Sequence, residues 1–253
     1  MEEIIRFDKG TAADRSGRLY RRTAIRTHFV TPHTDKAALV RQYVLPLAQP
    51  GDMLFISAKV MSLCEGLTRT RDEVKPGFFA RLLYRFAGHA HYDENGDQLP
   101  VGDSPYTGTG VHEPYKMQLV IEIVGLPRVL LACFCSALTK PFGIHGVFYK
   151  VCGHGIAGID GFHVGSAFPI YRDMALINPQ NCGELCDALK EAVGIPCAVM
   201  DSNNLETILL GKCGGFPLED ADILRVMDGN PAGQYDEMTP LVLLHPCEKE
   251  DAP

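Results

Sequence analysis

Between His145 and Phe162 the chain reads HGVFYKVCGHGIAGIDGF, with glycines at 153, 155 and 158. Val147, Tyr149 and Val151 alternate with Phe148 and Lys150, which is the period-two pattern of a strand. The glycines that follow permit positive φ and close backbone approach. They lead to Asp160, so the stretch predicts an apolar strand that delivers a carboxylate among glycines. A second place repeats the theme: the apolar run after Pro196 ends in Asp201, followed by Ser202, Asn203 and Asn204. Two strand-end carboxylates beside hydroxyl and amide groups suit a hard divalent cation with oxygen ligands. Either aspartate alone serves equally well as a turn former.

The totals narrow the class. A chain of 253 residues, 46% hydrophobic and 22% charged, is long and apolar enough for one large domain or two lobes of a soluble globule. A net charge of −7 argues against a general nucleic-acid binder. The opening MEEIIRFDKG has no apolar signal region, and the run Leu119 to Cys135 is cut by Glu122, Pro127 and Arg128, so no membrane span is expected. Nine cysteines without a secretion signal read as reduced thiols in a cytoplasmic protein.

Along the chain, residues 1–26 read as a polar, arginine-rich solvated arm. A helix follows, with Thr34 as N-cap and Leu39, Val40, Tyr43 and Val44 as its apolar face. Asp52 to Val60 reads as a central strand with Lys59 near its end. Phe78 to Phe86 reads as a helix that turns Phe79, Leu82, Leu83 and Phe86 to one side. The His-, Asp- and Gly-rich text from Gly88 to Gly110 marks a loop or a hairpin, with a seam between lobes near 88–112. Pro114 opens a helix closed by Gly125. Val129 to Cys135 reads as a short strand with Cys133 and Cys135 on one face. Asn181 and Glu184 form a capping box for a helix ending at Gly194. Residues 219–226 read as a helix and 240–245 as a last strand.

Several chemistries are absent from the text. There is no G-x-x-x-x-G-K-[ST], no G-x-S-x-G and no C-x-x-C. What remains is an oxygen-rich set: Asp160, Asp201 and Ser202, with Glu237 or Asp236 from a late loop. Such a set suits Mg²⁺ or Mn²⁺ beside phosphate oxygens.

The blocks GDMLFISAKVMSLCEG (Gly51 to Gly66), AGID (Ala157 to Asp160) and VMDSNN (Val199 to Asn204), with the THF segment from Thr27 and the GVFYKVCG stretch, resemble the coenzyme F420-0:L-glutamate ligase family, the F420 gamma-glutamyl ligases. The resemblance covers most of the chain as a single unit, 1–253. It implies a two-lobed α+β fold with a mixed sheet and an intertwined homodimer. It implies an amide ligase that adds L-glutamate to a small-molecule acid, using GTP and Mg²⁺ or Mn²⁺ through an acyl phosphate. By position, Asp160 and Asp201 match the catalytic first-metal aspartates, Ser202 a second-metal ligand, and Glu237 a late acidic ligand. Thr27, His28, Phe29, Val30, Ala58 and Lys59 match nucleotide-contacting strips, and His163 stands where the family has a nucleotide-binding asparagine. Leu63 replaces a family lysine, and residues 204–211 replace a basic, glycine-rich run. Two other readings stay open: the same chemistry on another acid or amino acid, and a nucleotide- or metabolite-binding protein without turnover.

Overall fold

The computed structural model describes residues 3–87, 91–92, 98–99, 111, 113–144, 146–153, 156, 159–162, 170–202, 207–233 and 237–247. The chain begins with β1 (Arg6–Ala13), β2 (Leu19–Ile25), α1 (Lys36–Tyr43), β3 (Met53–Ser57) and α2 (Ala58–Cys64). Its middle holds β4 (Thr68–Thr70), α3 (Phe78–Ala87), β5 (His91–Tyr92), β6 (Gln98–Leu99), α4 (Pro114–Val124), α5 (Leu126–Thr139), α6 (Val147–Cys152), β7 (Asp160–Gly161), α7 (Ile170–Asp173) and β8 (Met174–Leu176). It closes with α8 (Cys182–Val193), β9 (Cys197–Ser202), β10 (Thr207–Lys212), α9 (Asp220–Val226) and β11 (Leu241–Cys247). The fold is mixed α and β. It divides into two compact units, residues 1–66 with 179–253, and residues 67–178.

The first unit is built on a mixed six-stranded sheet ordered β1-β2-β11-β3-β9-β10. Only β3 and β9 run parallel among neighbours; every other pair is antiparallel. Side chains alternate between the faces of a strand, and both faces here meet helices. Tyr20, Met53, Phe55, Met200 and Val242 share a buried cluster with Ile223 and Val226 of α9. On the opposite face Cys197 donates its thiol to the Cys186 carbonyl of α8 at 3.2 Å. Hydrogen bonding with Cys197, with burial second, pushes the Cys186 thiol well above its ordinary range. All nine cysteines are free thiols.

The solvated arm expected at residues 1–26 is instead two strands of this sheet. Tyr20, Ala24 and Ile25 are buried, and the arginines between them lie along the strands. Arg22 donates to the Lys9 and Asp228 carbonyls, and Arg15 pairs with Asp222 at 2.8 Å. The expected strand 52–60 ends at Ser57, and Ala58 and Lys59 open α2. The α1 cap is Asp35 rather than Thr34: the Asp35 carboxylate accepts from the Ala37 and Ala38 amides. Thr34 instead closes its own turn, donating to the Thr31 carbonyl. Asn181 does precede α8, but its side chain caps no amide and approaches Glu184 at only 3.5 Å. Gly194 ends that helix in the left-handed region, as expected.

The second unit is helical, with a small sheet ordered β4-β8-β7 and the pair β5-β6. The strand expected at Val129–Cys135 is the middle of α5. Pro127 sits in the first turn of that helix, where its missing N–H costs nothing. Cys133 is therefore buried while Cys135 is half-buried, and they do not share a face. The strand expected from Val147 is also a helix, α6. Phe148 and Cys152, four residues apart, make its buried face, and Gly146 and Gly153 bound it. Helix α3 forms as expected but buries Ala80 and Leu83, leaving Phe79 and Leu82 exposed. Helix α4 buries Met117 and Val120 and ends at Gly125, as read from the sequence. No single helix among the described residues is long and apolar enough to cross a membrane. The seam expected near 88–112 falls almost wholly outside the described residues.

Candidate functional site

In the first unit, four of the segments singled out by the sequence meet at one end of the six-stranded sheet. The chain leaves β2 at Ile25, leaves β3 at Ser57, leaves β9 at Ser202 and enters β11 at Leu241. Register ties these ends together: Ile25 and Ile56 both face Leu241, and Ser57 faces Met200. Main-chain bonds finish the join. The Thr27 amide donates to the Met238 carbonyl at 3.0 Å, and the Ser57 amide to the Pro240 carbonyl at 2.9 Å. Thr27–Val30, Ala58–Lys59, Asp201–Ser202 and Glu237–Thr239 thus flank one sheet edge.

Each side chain there has a definable environment. Thr27 is buried and donates its hydroxyl to the His28 carbonyl at 2.9 Å. His28 is exposed; its amide and ring Nδ1 meet the Tyr43 hydroxyl of α1 at 3.1 and 2.9 Å. Phe29 is half-buried, Val30 and Ala58 are buried, and Lys59 is exposed on the first turn of α2. Asp201 and Ser202, half-buried, are consecutive residues of β9 and pair with Ile208 and Thr207 of β10. Because side chains alternate, Asp201 shares the α8 side of the sheet with Cys197 and Val199, and Ser202 lies on the other.

The Glu237 carboxylate pairs with the Lys9 ammonium at 2.9 Å. It also fills the space beside Gly233, where a Cβ would overlap it. Met238 next to it has φ +52°, a conformation that costs a non-glycine residue of order 1–3 kcal/mol. That turn places the Met238 carbonyl on the Thr27 amide. Lys9 and Tyr43 escaped sequence reasoning. Lys9 follows a register break in β1, between Asp8 and Thr11, that a sequence does not announce. Tyr43 reads in sequence as an apolar position of α1.

In the second unit, Asp160 begins β7 rather than ending an apolar strand, and faces Leu176 of β8. Its carboxylate Oδ1 accepts from the Gly161 amide at 2.7 Å. Gly161 has φ +99°, and a Cβ there would run into the Met174 carbonyl and the Ala175 Cα. Phe162 follows at φ +50°. Arg71, another residue without a sequence signal, holds this turn. Its guanidinium lies 4.8 and 5.0 Å from the Tyr115 and Phe162 ring centres. It donates to the Phe162 carbonyl at 2.8 Å and to Glu113 at 3.3 Å. His163, Asn203 and 204–206 of the run 204–211 lie outside the described residues.

Asp160 and Asp201 belong to different units, and each is described within its own. Among the described residues, no three of His, Cys, Asp and Glu form a group that could hold a metal ion. Glu237 is paired with Lys9, and Asp201 and Ser202 lie on opposite faces of β9; Asp236 lies outside the described residues. No known protein-family model matches the chain, and no curated protein matches it significantly.

Proposed function

We propose that this chain is a nucleotide-dependent acid–amino-acid ligase of the kind represented by the F420 gamma-glutamyl ligases. GTP would serve as phosphoryl donor, L-glutamate as amine and a small organic acid as acceptor. The observation that supports this reading is the gathering of Thr27–Val30, Ala58–Lys59 and Asp201 at one sheet end, around the carboxyl ends of the parallel pair. Ligands of open α/β sheets bind outside such strand ends. The exposed Lys59 ammonium would meet phosphoryl oxygens, and the Thr27–Val30 strip would line the nucleotide.

In the reaction, an acceptor carboxylate oxygen attacks the γ-phosphorus and the nucleoside diphosphate leaves. The glutamate amine then attacks the acyl carbon, the amide bond forms, and inorganic phosphate departs with the proton passing to solvent or base. The protein's part is to hold reactants in line and to offset charge. Mg²⁺ or Mn²⁺, if bound with the nucleotide, would neutralise phosphate charge; no step is assigned to it, because the described residues assemble no ligand set.

A second reading, a nucleotide- or metabolite-binding protein without turnover, is favoured by Leu63. It is buried at 1% exposure on α2, where the resemblance has a lysine. One experiment separates the two. Thermal shift with GTP and ATP, with and without Mn²⁺, is followed by phosphate release on adding L-glutamate and a panel of acids that includes the deazaflavin precursor. Lys59→Ala is expected to weaken nucleotide binding about tenfold, or roughly 1.4 kcal/mol. Nucleotide binding without amine-dependent phosphate release would select the second reading. Absence of any nucleotide-dependent shift would reject both.

A further inference from the structure

The Glu237 carboxylate is held from two sides. On one side is Lys9, whose ammonium meets carboxylate Oε2 at 2.9 Å. The backbone of Lys9 is fixed at the register break of β1. Its carbonyl accepts from Arg22 Nη2 at 2.8 Å, and the next amide, that of Gly10, donates to the Asp8 carboxylate at 2.8 Å. On the other side is Gly233, at φ +73°, where a Cβ would overlap the Glu237 carboxylate. Gly233 is tied down in turn. Its amide donates to the Asn230 carbonyl at 2.9 Å, and its carbonyl accepts from Asn230 Nδ2 at 3.0 Å. Asn230 is itself buried, at φ +47°. The Arg22 guanidinium joins the two sides, because its Nη1 donates to the Asp228 carbonyl at 2.9 Å.

The family resemblance assigns Glu237 to a metal, but its surroundings suit a different role. A divalent ion on this carboxylate would lie beside an ammonium already 2.9 Å from it, and like charges that close repel. What the carboxylate does control is the next residue. Met238 stands at φ +52°, a conformation that persists only where the surroundings over-determine it. On its N-terminal side that constraint is Glu237, clamped between Lys9 and Gly233. On its C-terminal side the buried Thr239 donates its hydroxyl to the Ala232 carbonyl at 2.6 Å. The Met238 carbonyl, held in this way, receives the Thr27 amide at 3.0 Å. Thr27 is the first residue of the strip that the ligase reading lays along the nucleotide. The contacts therefore run from Lys9 on the edge strand through Glu237 and Met238 to Thr27.

We infer that Glu237 is a positioning residue and not a metal ligand: paired with Lys9, it clasps the turn at Met238 and so sets the Thr27–Val30 strip. Only the strip's part in binding nucleotide rests on the ligase reading; the clasp itself does not. Its test uses the full chain as wild type, Lys9→Met, Glu237→Gln and the double variant. Three quantities are followed: hydrogen exchange of the Thr27 amide, affinity for Mn²⁺ alone, and affinity for GTP. A partly exposed pair is worth up to about a fivefold change in an equilibrium. Each single variant should therefore quicken Thr27 exchange by about two- to fivefold, and the double variant by no more than either, since both remove one interaction. Lys9→Arg should keep the wild-type rate. Salt at about 1 M should quicken exchange in wild type and not in the variants, because it screens the pair. This arm needs no substitution, so it stands even if a variant misfolds. Mn²⁺ affinity should be unchanged by Glu237→Gln, and GTP affinity should fall in step with exchange. Weaker Mn²⁺ binding in Glu237→Gln but not in Lys9→Met would overturn the clasp and restore the ligand. So would additive effects in the double variant, or Thr27 exchange unmoved by substitution and salt. Wild type that binds no GTP would reject the ligase reading alone, because Thr27 exchange decides the clasp without nucleotide.

Discussion

In the unit built on the six-stranded sheet, strand residues alternate between two helix-covered faces, and Phe55, Met61 and Leu244 are all but sealed from solvent. In the unit of residues 67–178, the helices turn one side to a core around Met117, Val120 and Phe148 and leave large apolar side chains outside. Phe78, Leu131, Phe134 and Phe142 are each more than half exposed. A sheet offers two apolar faces and demands two layers above and below it. A helix offers a stripe, and α5 carries apolar residues all round. Among the described residues, the first unit therefore buries its large apolar side chains more completely than the second.

Paired truncations would break this contrast most directly. Phe55→Ala is expected to cost the sheet unit about 3–5 kcal/mol in a denaturant titration. Phe134→Ala should stay within about 0.5 kcal/mol in the same titration. Equal losses would mean that the two units do not differ in this way. A smaller effect is expected where the helical unit is tightest. Gly161→Ala should cost about 1–3 kcal/mol, from positive φ together with overlap of the Met174 carbonyl. A neutral Gly161→Ala would show that the turn after Asp160 can relax. The smallest effect concerns the sheet unit's surface. Hydrogen bonds and charge from Arg15 hold the Asp222 carboxyl down at about 2. A depressed folded pKa gives stability that is present above the unfolded value near 4 and is lost as pH falls toward 2. Asp222→Asn should flatten the stability profile in that window and slightly lower stability at neutral pH, where the ionised pair contributes. An identical acid limb in the variant would dismiss the pair.

The elements read well from sequence were those with both a period and a boundary. Helix α8 has inward Cys182, Cys186 and Leu189 and a glycine stop, and β9 and β11 are short apolar runs bounded by prolines or polar turns. The misread ones had a pattern without a decisive boundary. Val129 to Cys135 is apolar throughout, so periodicity cannot choose between strand and helix; Gly125 and Pro127 were the cue. Val147 to Val151 alternates, yet Phe148 and Cys152 satisfy helical spacing equally, and six residues are too few to decide. In β1 and β2 the arginines mask the strands, because a long side chain can lie along the sheet and leave its charge outside. Of the candidate site, Asp201 was legible at the end of an apolar run, whereas Thr27 and Ala58 came from the resemblance alone, since the sequence hides β2 behind its arginines and carries the apolar run of β3 on into α2. Lys9 was not, because its partner Glu237 lies at the other end of the chain, and Tyr43 was not, because its position on α1 reads as apolar.

The position of β11 has a consequence for how such a chain is made. The last strand lies between β2 and β3, which do not pair with each other. Until residues 241–247 leave the ribosome, the earlier strands exist as two fragments, β1-β2 and β3-β9-β10, each with an open edge. The insert from Leu67 to Asn178 is contiguous and can fold while those edges wait. Long-range pairing of this kind is slow and leaves edges open to wrong partners. Removing residues 241–247 would therefore do more than shorten the chain; it would leave the sheet in halves.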